Sequence, residues 1–155
     1  MSSLEDNSVL SLDAPENAII ILRSETGTVF TLPKSYALIS DFLKNALESD
    51  KDAGEADLAI NDYNLKLIVD YMNEYKGTEP KAPEAPLWQD YDKVVDPFCF
   101  NFTKAICEDK KMKDFMNAVN YMAIPQLLLI CGCKIASLVK GRDIADIKTI
   151  LQTEC

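Results

Sequence analysis

Cys131-Gly132-Cys133 is the one pair of thiols close together in this 155-residue chain, and it is the nearest thing to a reactive site. Paired thiolates hold zinc or cycle through a disulfide, but a structural zinc needs four ligands and no second pair completes the set. Residues two apart on a helix point in different directions, so these thiols cannot chelate together without unwinding it. Core packing is therefore the reading for both. The chain has no histidine. This removes the commonest general base, the commonest metal ligand and every Ser-His or Cys-His nucleophile pair. Its five glycines are scattered, and none opens a G-x-G-x-x-G or Walker-type phosphate loop. The carboxylates lie in tails and loops, with no apolar surroundings to raise a pKa. The sequence reads as non-enzymatic, with no cofactor, no metal and no small-molecule substrate expected.

Charge narrows the partners. The net charge is −9 and unevenly spread. Residues 1–97 carry 19 acidic and 8 basic side chains, whereas residues 98–155 carry 6 and 8. Nucleic acid and anionic membrane both bind through neutralisation of their phosphates, so a chain this acidic is expected to bind neither. The cluster Lys110, Lys111, Lys113 reads as a solvated helix start. No apolar run reaches the length of a membrane helix. Met1 to Glu16 is polar and acidic, without the basic start and apolar core of a signal peptide. The five cysteines then read as reduced thiols, and the expected location is cytoplasmic, nuclear or both. Proteins are the expected partners.

The elements that would position a binding surface follow from periodicity. After an acidic flexible tail, residues 1–17, the run Ala18 to Leu22 suits a buried strand. Ser24-Glu25-Thr26-Gly27 supplies turn residues, and Thr28 to Leu32 alternates as a second strand, giving a hairpin stopped by Pro33. Ser40 is a candidate N-cap for a helix whose apolar stripe is Ile39, Phe42, Leu43, Ala46 and Leu47. Glu48 to Ala56 reads as an acidic loop, and Leu58 and Ile60 as a brief third strand. Asp62 is expected to cap a helix with Leu65, Ile68, Val69 and Met72 on one face, ending at Gly77. Residues 77–97, interrupted by Pro80, Pro83, Pro86 and Pro97, read as a long acidic loop in which Trp88 packs onto its own domain.

From Phe98 the pattern is helical only. Phe100 to Cys107 is one short piece, and Met112, Phe115, Met116, Val119 and Met122 form a second stripe. Pro125 opens a helix over Gln126 to Lys140 that is apolar nearly all round, so burial on several sides is expected. Gly141 closes it. Asp143 caps a last helix with Ile144, Ile147, Ile150 and Leu151 on its apolar side and Asp146 in its first turn. Three short strands with helices, then a helical half, predict an α+β domain with a small three-stranded sheet covered by helices. The expected organisation is an N-terminal part at 18–76, the loop at 77–97 and a helical part at 98–155.

Several stretches are similar to a known family. Ala118-Val119-Asn120-Tyr121-Met122-Ala123-Ile124 lies close to the Ala-Ala-Asn-Tyr-Leu-Asp-Ile of the S-phase-kinase-associated (Skp) adaptors, and Leu127-Leu128 follows at the right distance. Ile135-Ala136-Ser137-Leu138-Val139-Lys140-Gly141 resembles that family's Val-Ala-Asn-Met-Ile-Lys-Gly. Arg142 to Lys148 resembles its Lys-Thr-Pro-Glu-Glu-Ile-Arg. The stretch Leu22 to Phe30 looks like its Ser-Ser-Asp-Gly-Glu-Ile-Phe hairpin. The likeness covers roughly residues 18–152 and implies a BTB/POZ-like fold, with elongin C the nearest alternative relative. Phe100 stands for a family Trp and Leu129 for a family Asp. The family's further helical extension is not matched, so a divergent member with a shortened C-terminus is expected.

The family bridges a cullin to F-box proteins in SCF ubiquitin ligases. The resemblance implies a non-catalytic adaptor with Asn120 and Tyr121 on the cullin side, and Ser40 and Phe42 on a helix beside them. It places Cys133, Ala136, Val139, Ile144, Ile147 and Leu151 on the F-box side, where short apolar helices can form a groove. The competing reading has Tyr121 and Asn120 bonding locally, Ser40 and Phe42 capping and packing, and the last two helices packing on each other. The alternative function is a structural subunit of a large stable assembly that keeps the fold without the ligase role.

Overall fold

Strand β1 (Ile19–Arg23) and strand β2 (Val29–Pro33) form the hairpin expected from their alternation. They belong to a computed structural model that describes residues 18–50, 52, 54–81, 91–140 and 142–153. The readings for residues 1–17, for Trp88 and for Gly141 lie outside those residues. The fold is α+β: among the described residues, a three-stranded sheet with two helices before its last strand and the remaining helices after it. The chain divides into two compact units, one ending at Thr78 and the other beginning at Glu79.

In the first unit, β1 is the central strand, pairing antiparallel with β2 (Leu22 opposite Phe30) and parallel with β3 (Glu55–Asp57). The turn closes through the Ser24 N–H donating to the Thr28 carbonyl at 2.9 Å, with Gly27 at φ 89° as positive φ requires. The β-branched run is not buried on both faces. Ile20, Leu22 and Leu32 are buried, while Ile19 and Val29 are exposed. A sheet of three strands with helices α1 (Lys34–Ala37) and α3 (Asp62–Tyr75) packed against it shows this one-sided alternation.

Helix α2 (Asp41–Ser49) starts where expected, with Ser40 Oγ accepting the Leu43 N–H at 3.2 Å. Its apolar stripe is narrower than the sequence predicts: Leu43 and Leu47 are buried, Phe42 and Ala46 exposed. The third strand forms at Glu55–Asp57 and not at Leu58 and Ile60. Those two are buried, and their main chain is held by Leu58 N–H to the Arg23 carbonyl and Glu25 N–H to the Ile60 carbonyl, both 2.9 Å. Alternation there reported burial, not pairing. Arg23 meets Glu55 and Asp57 across the parallel pair.

Asp62 does not cap α3. Asn61 does, its Oδ1 accepting the Asn64 N–H at 2.8 Å. The Asp62 carboxylate turns instead to the hairpin and accepts hydrogen bonds from the hydroxyls of Ser24, Thr26 (2.7 Å) and Thr28 (2.8 Å). These donors stabilise the charged form and hold this carboxyl below its usual pKa, Ser24 contributing most. At the other end of α3, the chain turns through Lys76 (φ 51°) and Gly77 (φ 94°). A Cβ on Gly77 would lie 2.8 Å from the Ser35 carbonyl oxygen.

The second unit is helical. Tyr91–Val94 forms a turn, α4, inside the stretch expected to be loop, with Tyr91 buried and its hydroxyl 3.0 Å from Thr103 Oγ1. Helix α5 (Pro97–Glu108) begins earlier than the apolar residues suggested, because Asp96 caps it through the Cys99 N–H at 2.9 Å and Pro97 occupies its first turn. Helices α6 (Met112–Met122), α7 (Pro125–Val139) and α8 (Ile144–Thr153) follow. Phe102 and Phe115 meet edge to face at 5.7 Å, and Val119, Met122, Leu127 and Ile130 complete the centre of the unit. Glu79 Oε1 accepts the Leu127 N–H at 3.1 Å, which caps α7 from a distance in sequence.

Two outcomes test this description. Gly77→Ala adds a side chain at positive φ against a carbonyl, and is expected to lower unfolding free energy by more than about 1 kcal/mol in a urea titration; an unchanged midpoint would count against the turn. Asp62, with its depressed pKa, contributes stability above the ordinary carboxylate range near pH 4, lost as pH falls through the depressed value. Its carboxyl carbon should titrate by NMR below 3.8, and Thr26→Val with Thr28→Val should move the midpoint upward. An unmoved midpoint would show that the hydroxyls do not bond it.

Candidate protein-binding surfaces

The end of α6 carries two of the candidate residues, and its geometry explains their placement. The chain reverses through Ala123 in left-handed backbone, φ 54°. The Ala123 N–H donates to the Asn120 carbonyl at 3.1 Å and the Ile124 N–H to the Val119 carbonyl at 3.3 Å. This is a Schellman ending, with Val119 and Ile124, both buried, as its apolar pair. Asn120 and Tyr121 therefore sit on the last turn of α6, where their main chain is fixed by the reversal. The Asn120 side chain is exposed, and Tyr121 is 40% exposed.

Ser40 and Phe42 belong to the first unit, at the start of α2. Ser40 is fully buried and its hydroxyl is engaged in the cap, so it supports the helix and offers no surface. Phe42, 40% exposed, is the residue of the pair that presents area.

Cys133, Ala136 and Val139 lie on α7, and Ile144, Ile147 and Leu151 on α8, which packs on α7. Ile150 is the buried anchor of α8, and Asp143 Oδ1 caps it through the Asp146 N–H at 2.9 Å. Ile144 is 75% exposed and Leu151 42%, Ala136 is exposed, and Cys133, Val139 and Ile147 are half-buried. The expectation that α7 is buried on more than one side holds: α4, α5, α6 and α8 all pack against it, and of its residues only Pro125, Leu129 and Ala136 are exposed. Leu127, Ile130 and Cys131 are its buried residues, and Leu129 stands 56% exposed. Leu129 was missed as a candidate. Its signal was spacing, since Leu129, Cys133 and Ala136 fall at i, i+4 and i+7 on one face. Large apolar residues exposed together on adjoining helices mark interaction surfaces.

The Cys131 and Cys133 thiols carry no reactive signature. Burial pushes the Cys131 thiol far up, with the neighbouring Cys107 and Cys99 adding to it, and burial also raises Cys133. Protonated thiols of this kind are poor nucleophiles and poor metal ligands. Among the described residues no group of three His, Cys, Asp or Glu side chains is arranged to hold a metal. No described helix is long and apolar enough to cross a membrane.

Comparison with known proteins gives the family context. The chain is 28% identical over 137 residues to the protein named E3 ubiquitin ligase complex SCF subunit sconC of Arthroderma otae, covering 83% of this chain and 79% of the relative. It is 27% identical over 135 residues to the protein of that name in Aspergillus fumigatus, covering 83% and 82%. The S-phase kinase-associated protein 1 homolog of Tetrahymena thermophila is 26% identical over 132 residues, covering 82% and 77%. No family model matches the chain. The resemblance to the Skp family read from the sequence thus stands over more than four-fifths of its length.

Ala123 gives the test of the α6 ending. An L-residue in left-handed backbone is strained where glycine is not. Ala123→Gly is expected to stabilise the protein by about 1 kcal/mol, raising Tm by ~2–4 °C. A lowered Tm in a thermal scan would reject the left-handed reversal.

Proposed function

We propose that this chain is a non-catalytic adaptor of BTB/POZ-like fold that bridges a cullin-type scaffold and an F-box-type substrate receptor in ubiquitin-dependent degradation, in the cytoplasm, the nucleus or both. The observation that carries this reading is the likeness, over 83% of the chain, to proteins named as SCF ubiquitin ligase subunits. An adaptor works by binding alone, and the chemistry of the chain agrees: burial raises the pKa of the Cys131 and Cys133 thiols and no histidine is present.

Asn120 and Tyr121 are assigned to the cullin side, with Phe42 as a further contact and Ser40 acting through the cap that sets the start of α2. An exposed aromatic ring beside an amide gives contact area and hydrogen bonding at modest entropic cost. Cys133, Ala136, Val139, Ile144, Ile147 and Leu151 are assigned to the F-box side, and Leu129 extends that set. Branched apolar residues on two adjoining helices suit a partner helix laid along them.

The assignments separate in pull-downs with a purified cullin and with an F-box peptide. Asn120→Lys with Tyr121→Ala should weaken cullin binding at least ~30-fold, the loss of roughly 2 kcal/mol typical of a central contact, and leave the F-box peptide bound. Ile144→Asp with Leu151→Asp should do the converse. All four positions are solvent-exposed, so thermal stability should hold and a loss reads as lost binding. Unmodified protein that binds neither partner, and instead co-purifies in one fixed assembly, would replace the adaptor by a structural subunit.

A further inference from the structure

Helices α5 and α7 enclose a depression of about 310 Å³ that is open to solvent and lined by Lys104, Cys107, Glu108, Lys110, Lys134 and Leu138. Cys107, buried, and Leu138, half-buried, make its apolar floor. Lysines supply half of the lining. None of the three is in an ion pair with a carboxylate among the described residues, even though Glu108 lies one turn from Lys104. Lys134 is held in place: its ammonium stands 5.7 Å from the centre of the Tyr91 ring and 5.9 Å from that of Phe100. Tyr91 is itself fixed by burial and by its hydrogen bond to Thr103. Lys110 reaches the rim from left-handed backbone (φ 60°) at the end of α5.

With Glu108 counted, the lining carries a net charge of +2, in a unit that carries 10 basic and 11 acidic residues over 79–155. Like charges without carboxylate partners, brought together on a concave, partly apolar surface, repel one another unless an anion joins them. We infer that this depression binds a phosphomonoester dianion. Such a group has close to two negative charges and three strong acceptor oxygens, which match a lining of net charge +2 with three lysines. The volume, at the small end of ligand sites, suits one phosphorylated side chain. A nucleic-acid strand fits poorly, because its successive phosphates would run onto a chain of net charge −9. The inference is independent of the adaptor reading.

The test uses the full chain and a defined probe, acetyl-Gly-Gly-phosphoserine-Gly-Gly-amide, followed by amide NMR shifts. Saturable shifts are expected in α5 and α7 around Lys104 and Lys134, with the unphosphorylated peptide at least ten-fold weaker. Lys104→Gln with Lys110→Gln and Lys134→Gln should weaken binding at least ten-fold. Lys104→Gln alone, at an exposed position, should weaken it about three-fold and guards against a folding defect in the triple variant. Inorganic phosphate shifting the same amides ten-fold more weakly assigns the group to a phosphorylated partner, and at equal strength to the free anion. Absence of saturable shifts with either phosphate probe, equal binding of the unphosphorylated peptide, or undiminished binding by the triple variant would overturn the inference.

Discussion

Helices α5 and α6 each end in left-handed backbone without glycine, at Lys110 and Ala123, and the same pair of hydrogen bonds closes both ends. At α5 the Lys110 N–H reaches Cys107 and the Lys111 N–H reaches Ile106, at 2.9 and 3.1 Å, as Ala123 and Ile124 do at α6. Each left-handed L-residue costs on the order of 1 kcal/mol, and burial of Ile106, Val119 and Ile124 beside the reversals offsets it. The return is economy of length. Two or three residues suffice to reverse the chain between successive helices, so nearly every residue of the helical unit is available to pack or to face outward. Asn120, Tyr121 and Lys110 all sit at these reversals, which fix the main chain that carries them.

Tight connections also decide what must stay uncovered. Helix α7 buries Leu127, Ile130 and Cys131 and half-buries most of its other residues among α4, α5, α6 and α8. Helix α8 adds Ile150 to that interior and little else. An amphipathic helix ordinarily turns its polar face to water, yet α7 and α8 keep Leu129, Ile144 and Leu151 there. Burying one such side chain is worth roughly 1.5–3 kcal/mol. A few of them on adjoining helices therefore hold enough free energy to anchor a partner, whereas the scattered exposure of Ile19 and Val29 on the sheet is ordinary.

Much of the fold was legible in the sequence because its signals are local. The hairpin followed from alternation around Gly27, α6 from its 3.6-residue stripe, α2 and α8 from Ser40 and Asp143 as caps. What was missed depended on partners distant in sequence. Strand β3 was sought at Leu58 and Ile60 because they alternate; the pairing with Arg23 selects Glu55 and Asp57 instead, charges that no β-propensity favours. The start of α5 was placed late because Asp96 and Pro97 read as loop residues, although together they are an N-terminal signal. The exposed side of α7 could not be told from its buried side, since apolar residues occupy both and periodicity carries no contrast there. The candidate surface on α8 was better marked, because Asp146, Lys148 and Thr149 leave its apolar side distinct.

Polar residues bear on how sites are recognised in a chain of this kind. Every helix begins with unpaired N–H groups, and five helices meet the need with side chains: Ser40 for α2, Asn61 for α3, Asp96 for α5, Glu79 for α7 and Asp143 for α8. Asp62 serves a related purpose by tying the hairpin turn to α3. A polar residue committed in this way has little left to offer a partner, and Ser40, fully buried, is the plain case. The exposed Asn120 differs, because its carbonyl completes the helix ending while its amide faces solvent. Lys104 and Lys110 differ further, since among the described residues neither a side-chain cap nor an ion pair accounts for them, and Lys134 meets only the rings of Tyr91 and Phe100. Polar groups that the fold does not use are the ones that binding can.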